Sequence, residues 1–352
     1  MSSRVLVSEL PEGRYGEWNG LVASAPAGSP YAMPEYLDAL CEAAGGTFRI
    51  LGAWRGEELA GGLPLYERTS RLGKYVSPRL LLYYNGAVLR RQESKYPSEQ
   101  TSRQVTLLGA LADAATARGY ASITLKARSP ISDLRPFLVR GWRAWPSYSY
   151  VVPIADLPFQ WGRIEQNLRR LIERARGKGL GLTEDDDFAS FYAMHATTLE
   201  RKGAEVYLPL PAFRRWFERL RQQRLCRLYQ ARLPDGRSVA AAIVLTGPHP
   251  VAHMVSAASD PDQQATGASA FLRWRIFEAL ADLGHAALDL TDAALNPVTH
   301  FKSQLGGELV MAFVAESLGS WPWRAGVATS AGIQRARGIA AAGVKRLLRR
   351  PE

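Results

Sequence analysis

A chain of 352 residues exceeds one average core, so two domains or one large one are expected. Its composition, 47% hydrophobic and 22% charged with 31 Gly and 21 Pro, excludes a largely disordered or low-complexity chain. Two cysteines, Cys41 and Cys226, exclude a disulfide framework, and no Cys or His stands at metal-ligand spacing, so a reducing, cytoplasmic setting and no bound metal are expected. No N-terminal signal pattern and no run of about 18 apolar residues occurs; secretion and membrane spanning are not expected. The formal charge of +11 points to an anionic partner. The excess gathers in Arg163–Gly179 and in Arg335–Arg350.

In chain order, TFRILGAWRGEELAGGLPLYE (Thr47–Glu67) predicts a hairpin with a Gly-containing turn. LADAATARGYASITL (Leu111–Leu125) predicts a helix that stops at Gly119 and feeds an apolar strand. A boundary is expected near Pro153–Pro158, followed by the helix NLRRLIERARGKG and two amphipathic helices, Phe188–Gly203 and Leu210–Gln223. LCRLYQARLPDGRSVAAAIVLTG (Leu225–Gly247) then repeats the hairpin, with Asp235-Gly236 at its turn. IFEALADLGHAALDL (Ile276–Leu290) repeats the helix and strand. Gly119 pairs with Gly284 and Gly141 with Gly306 at one offset of 165 (284−119 and 306−141), so the chain is an internal duplication. Each half predicts an α+β unit whose mixed, mostly antiparallel sheet is flanked by helices.

The order of RRLIERARGKGLGL, TTLERKG, SVAAAIVL, SAASD, LRWRIFEALADLG and LDLTDAALNPVTHFKSQLGGEL resembles the Fem-type (FemAB-like) branch of the GNAT acyltransferase superfamily. The likeness runs from about Ser29 to Val314 and is most specific at Phe301, Lys302 and Gly306. It implies two GNAT-like domains in tandem, placed here at 1–155 and 156–325, with the transfer site on the second and a basic tail at 326–352. The helical coiled-coil arm of some members has no counterpart, because no sustained heptad pattern occurs. The implied activity is transfer of an aminoacyl group from aminoacyl-tRNA to an amine, forming an amide (peptide) bond. The alternative is an acyl-CoA-dependent N-acyltransferase of polysaccharide, lipid or natural-product biosynthesis. Either donor is a substrate, and no permanently bound cofactor is expected. The acceptor, a cell-wall precursor or a small-molecule amine, and the oligomeric state are not readable from the residues.

Lys302 is the strongest candidate, because the repeat supplies an internal control: the offset puts Phe137 at the equivalent place, so the fold does not require a cation there. A lysine in an acyl-transfer site stabilises a developing oxyanion or holds a phosphate, and the resemblance places this Lys at the active site beside Phe301. Asp289 and Asp292, at the end of the strand leading into it, either orient Lys302 or accept the amine's proton; capping the next helix is the competing reading. For donor phosphates, Arg174-x-x-Gly177-x-Gly179 matches the GNAT loop in letters but ends a helix. Gln264-x-x-Gly267-x-Ser269 opens one and is preferred, because N–H groups and the helix dipole there favour anions.

The resemblance also puts Arg201 at a position contacting acceptor phosphates, with an exposed helix-end arginine as the equal alternative. It sets Tyr83, Tyr84 and Asn85 toward the substrate cleft, where at least one tyrosine also fits a core role. His253 is a further cleft candidate, although a core or surface position suits it better. The five histidines form no HExxH and no serine stands in GxSxG, so zinc or serine hydrolysis has no support. Asp185, Asp186 and Asp187 read as a turn and helix cap. The tail reads as a basic amphipathic helix for a membrane surface or for RNA, or as a frayed end.

Overall fold

A computed structural model describes residues 5–325 except 92 and 202, with the side chains of 264 and 297 also left aside; the basic tail lies outside the described residues. The first half runs β1 (Val5–Glu9), α1 (Tyr15–Ser24), α2 (Pro34–Ala44), β2 (Thr47–Arg55), β3 (Glu58–Ser70), β4 (Gly73–Val76), β5 (Val88–Leu89), α3 (Pro97–Thr116), β6 (Ser122–Lys126), α4 (Arg135–Leu138) and β7 (Arg143–Pro153). Two connecting helices follow, α5 (Leu157–Arg163) and α6 (Gln166–Gly177). The second half repeats the order: β8 (Gly181–Glu184), α7 (Phe188–Arg201), α8 (Leu210–Gln222), β9 (Cys226–Arg232), β10 (Ser238–Leu245), β11 (Val251–Ser259), α9 (Ala268–Asp282), β12 (Ala287–Asp289), α10 (Pro297–Ser303) and β13 (Glu308–Glu316). The Pro153–Pro158 segment runs from the end of β7 into the first turn of α5.

Both hairpins form where the turn glycines allow them: Gly56 and Gly236 take φ of 61° and 87°, the left-handed region that side chains resist. The four glycines that carry the repeat behave alike in pairs, Gly119 and Gly284 at 71° and 84°, Gly141 and Gly306 at 74° and 75°. Each pair ends a helix and turns the chain into a strand, so the repeat is enforced by backbone geometry.

The strands join into one 13-stranded sheet in the order β1-β2-β3-β4-β6-β13-β7-β12-β11-β10-β9-β8, with β5 paired to β3 off this path. The last strands of the halves are exchanged. β7, from the first half of the chain, lies against β12, whereas β13, from the second, lies against β6. The two exchanged strands also pair with each other from Glu308↔Val151 to Glu316↔Arg143. Neither half of the sheet is complete without a strand from the other half of the sequence.

Three apolar cores follow. One is shared by both halves and holds Trp18, Tyr36, Phe188, Phe213 and Trp216, drawn from α1, α2, α7 and α8. A second packs α6 and α9 on the β10 and β11 side, and a third packs α3 and α4 on the first half's strands and on Phe313 of β13. Strand β10 is buried at seven consecutive positions, as expected of a strand covered on both faces. No helix among the described residues is long and apolar enough to cross a membrane.

Candidate active site

Parallel strands β11 and β12 pair over only three residues, Val251–His253 with Ala287–Asp289. Beyond them β11 continues to Ser259 while the chain leaves β12, and the two diverge. In that gap lies a cavity of about 250 Å³, walled by Met254 and Ser256 of β11, Arg273 of α9, Thr291 and Asp292 after β12, and Phe301 and Lys302 of α10. Tyr83 reaches in from the first half of the chain and Tyr207 from the loop before α8.

The chain after β12 is bent sharply. Thr291 and Asp292 take φ of 46° and 51°, a left-handed conformation costing non-glycine residues about 1–2 kcal/mol each. Four hydrogen bonds hold it. The Thr291 N–H donates to Asp289 Oδ1 at 2.8 Å, and its hydroxyl donates to the Met254 carbonyl at 2.8 Å. Lys302 Nζ donates to the carbonyls of Thr291 and, at 2.7 Å, Asp292. An ammonium has three N–H donors; two are engaged and one remains for the cavity. Burial pushes the Lys302 amine down to about 8, offset in part by Asp292 and Asp289 and reinforced by Arg273.

Asp289 is buried and outside the cavity wall. It accepts from Tyr84 Oη at 2.9 Å, from Ser149 Oγ and from the Thr291 amide, so it fixes the turn from beneath. Asp292 is exposed on the wall. His253 is fully buried between Tyr31 and Tyr84, its ring centroid 5.1 and 5.9 Å from theirs, with Nδ1 3.6 Å from Asp289 Oδ2. Burial, then the Arg128 charge, hold His253 well below its usual range, and the ring stays neutral. Tyr83 donates to the Val255 carbonyl at 3.3 Å, and burial raises its phenol. Asn85 is buried away from the cavity, its amide donating to the Thr124 carbonyl at 2.9 Å and its Oδ1 accepting from the Lys126 N–H at 2.8 Å.

Lys302, Phe301, Asp292 and Tyr83 therefore meet in one cavity. Asp289, Tyr84 and His253 form a buried layer behind it, while Asn85 stitches strands of the first half. Arg201 is exposed at the end of α7. Gly267 caps α9 at φ 83°, where a Cβ would meet the Leu171 carbonyl oxygen at 2.4 Å; glycine there lets α6 lie against the start of α9. Ser269 gives its carbonyl to Arg273 Nη1 at 2.9 Å. The Gln264 side chain lies outside the described residues. The rival segment Arg174–Gly179 is the C-terminal end of α6, with the Lys178 and Gly179 amides bonded to carbonyls of that helix. The acidic triplet is a cap: Asp187 accepts from the Ser190 N–H at 3.1 Å, and Arg232 neutralises Asp185 and Asp187.

Sequence reasoning missed Arg273, Tyr207 and Ser256. For Arg273 a signal existed, because the same offset of 165 (273−108) that exposes Lys302 puts Leu108 opposite Arg273. A larger cavity of about 450 Å³ lies in the first half between α3 and the segments at Leu89–Arg91 and Pro130–Ile131. It gathers none of the predicted residues, and α3 lines it with Gln100, Gln104 and Leu107.

Residues 162–303 match the family model of the acetyltransferase (GNAT) domain. Among solved structures, FemX matches with a TM-score of 0.69 at 13% identity, over 88% of this chain and 96% of that one. The chain shares the fold of FemX. The C-terminal domain of a putative lysylphosphatidylglycerol synthetase from Agrobacterium fabrum matches with a TM-score of 0.56 at 14% identity, over 89% and 96%. A tandem GNAT protein from the clavulanic acid biosynthesis pathway gives 0.51 at 12% identity, over 89% and 98%. No curated protein is significantly similar in sequence.

Proposed function

We propose that this Fem-type GNAT chain is an aminoacyltransferase that moves an aminoacyl group from aminoacyl-tRNA to an amine acceptor. The acceptor nitrogen attacks the ester carbonyl of the donor, the new C–N bond forms, and the bond to the ribose oxygen breaks. The departing oxygen takes up the proton that the amine sheds, so no covalent enzyme intermediate is needed. Positioning and electrostatic stabilisation of the oxyanion supply the rate in such a scheme.

The observation that supports the reading is the setting of Lys302. Its ammonium lines the cavity, is anchored by two carbonyls and has a third N–H beyond them, which is what stabilising a carbonyl oxygen as it gains charge requires. With its amine near 8, Lys302 is mainly protonated at neutral pH. Asp292, exposed on the same wall, is suited to relay the attacking amine's proton to the departing oxygen. The donor's phosphates are assigned to the Gln264–Ser269 segment at the start of α9, and Arg201 to the acceptor's. A net charge of +11 favours an RNA donor through counterion release.

The second reading, an acyl-CoA-dependent N-acyltransferase, is favoured by the GNAT domain match over residues 162–303. Filter binding of aminoacyl-tRNA and of acyl-CoA to the purified chain across a salt series separates the two. Retention of aminoacyl-tRNA that falls steeply with salt is expected. Tight acyl-CoA binding with no tRNA retained at low salt transfers the assignment to the second reading.

A further inference from the structure

We propose that Arg273 forms an oxyanion-binding subsite inside the cavity, taking a carboxylate or phosphate group of a substrate. The inference deepens the reading above, since it rests on the cavity being where substrates bind.

Most buried or half-buried arginines among the described residues face carboxylates: Arg227 reaches both oxygens of Glu184 at 2.6 and 2.8 Å, and Arg232 reaches Asp185 and Asp187 at 3.0 and 3.1 Å. Among the described residues Arg273 has no carboxylate partner. Its one hydrogen bond runs from Nη1 to the Ser269 carbonyl at 2.9 Å, and its Cζ lies 4.9 Å from the centre of the Phe301 ring. Those contacts fix the plane of the guanidinium and leave the remaining N–H groups of its fork unassigned. Burial alone pushes the group down to about 10, with no carboxylate opposing the shift. A half-buried cation with no carboxylate beside it is costly, and a fixed guanidinium fork matches the two oxygens of a carboxylate or phosphate.

The duplication removes the architectural explanation. At the equivalent place in α3 stands Leu108, buried with 1% exposure, so this helix packs on its sheet with a leucine there. The charge is an addition of the second half, as is Lys302 opposite Phe137. Arg273 and Lys302 line one cavity of about 250 Å³ in which Asp292 is the carboxylate of the wall, and Arg273 is among the charges that depress the Lys302 amine. A space of that size admits one small anionic group with its immediate substituents, so the subsite reads a single charged group and no more.

The test uses the full chain and reads Lys302 as the reporter. The rate at which Lys302 is carbamylated by cyanate, followed by mass spectrometry across pH, gives its apparent pKa with and without inorganic phosphate or acetate. Anion binding beside two cations should raise that pKa and slow labelling saturably. Arg273→Leu, the residue of the first half, should raise it without any anion and increase the half-saturating anion concentration at least tenfold. A response to phosphate alone identifies a phosphate-bearing substrate, and one to acetate alone a carboxylate. An unchanged anion response in Arg273→Leu, or no response in the native chain, overturns the proposal. Arg273→Gln serves the same purpose if the leucine variant does not fold. Since labelling needs no turnover, the two readings fail separately: normal transfer without an anion effect removes only Arg273's role, and an anion effect without transfer removes only the aminoacyltransferase.

Discussion

The two halves of this chain carry the same order of elements and the same helix-ending glycines, yet one has a charged cavity between its strands and the other does not. In the first half Asn85 hydrogen-bonds the Thr124 carbonyl and the Lys126 amide, so the edge of β6 is stitched shut. In the second half the chain past Asp289 bends through two left-handed residues and the gap stays open. At matching positions the first half has Leu108, Ala127 and Phe137, whereas the second has Arg273, Asp292 and Lys302. What the two share is required by the fold, and what differs is available for chemistry.

The sharpest break of that comparison exchanges roles between Lys302 and Phe137. Lys302→Met keeps the aliphatic bulk and removes the charge, so turnover with the true donor and acceptor should fall by about a hundredfold or more, as for loss of one transition-state donor. Two carbonyls lose their donor, but a desolvated charge also disappears, and these effects oppose each other. A melting temperature within a few degrees of the native value is expected. Phe137→Ala should behave in reverse, losing about 3–5 kcal/mol in a denaturant titration with turnover per folded molecule retained. Near-normal turnover in Lys302→Met would make Lys302 a strut for the bent turn and nothing else.

Next in size is Asp289, which the sequence offered as a catalytic group and the fold sets behind the cavity. Asp289→Asn keeps the shape but turns one acceptor into a donor facing Tyr84 or Ser149. A loss of about 1–3 kcal/mol is expected from the mismatched buried group, together with roughly tenfold slower turnover because the Thr291–Asp292 bend loosens. If Asp289 instead took the amine's proton, turnover would drop far more than stability, and equilibrium unfolding beside kinetics on the same sample separates the outcomes.

How far the sequence revealed this comparison depended on the range of the interaction. Hairpins, helix ends and the 165-residue offset are written in local patterns, turn glycines and apolar periodicity, and they reappear in the structure at the expected residues. The exchange of β7 and β13 left no such trace, because the two strands are equivalent under the repeat and each satisfies either sheet. Lys302 was visible because its counterpart is apolar. Arg273 carried the same mark but stood in a helix whose apolar residues dominate the pattern. The separation of Asp289 from Asp292 required the left-handed bend, which neither Thr nor Asp announces.

The pH dependence distinguishes a cationic Lys302 from a basic one. A donor role needs the ammonium, so turnover should decline as pH rises through about 8, by about half at that pH; a general base would give the opposite limb. Stability carries the reverse sign. The folded amine titrates below the ordinary lysine value, so between about 8 and that value the unfolded chain binds more protons, and this group's contribution to stability rises with pH. Lys302→Met should remove that rise.

The smallest effect tests whether the first half contributes anything to the cavity beyond its wall. Tyr83 crosses from the first half to donate to the Val255 carbonyl of β11 at 3.3 Å and stands beside Tyr207 at the cavity. Tyr83→Phe keeps the ring and its packing, and removes the hydroxyl's bonds to the Val255 carbonyl and to Tyr207, each worth about 0.5–1.5 kcal/mol. If Tyr83 only closes the wall, KM and kcat should move by less than threefold, with a small fall in melting temperature. Were its hydroxyl a substrate contact, KM would rise well beyond that while the melting temperature stayed put. The second half would then depend on the first for recognition as well as for its last strand.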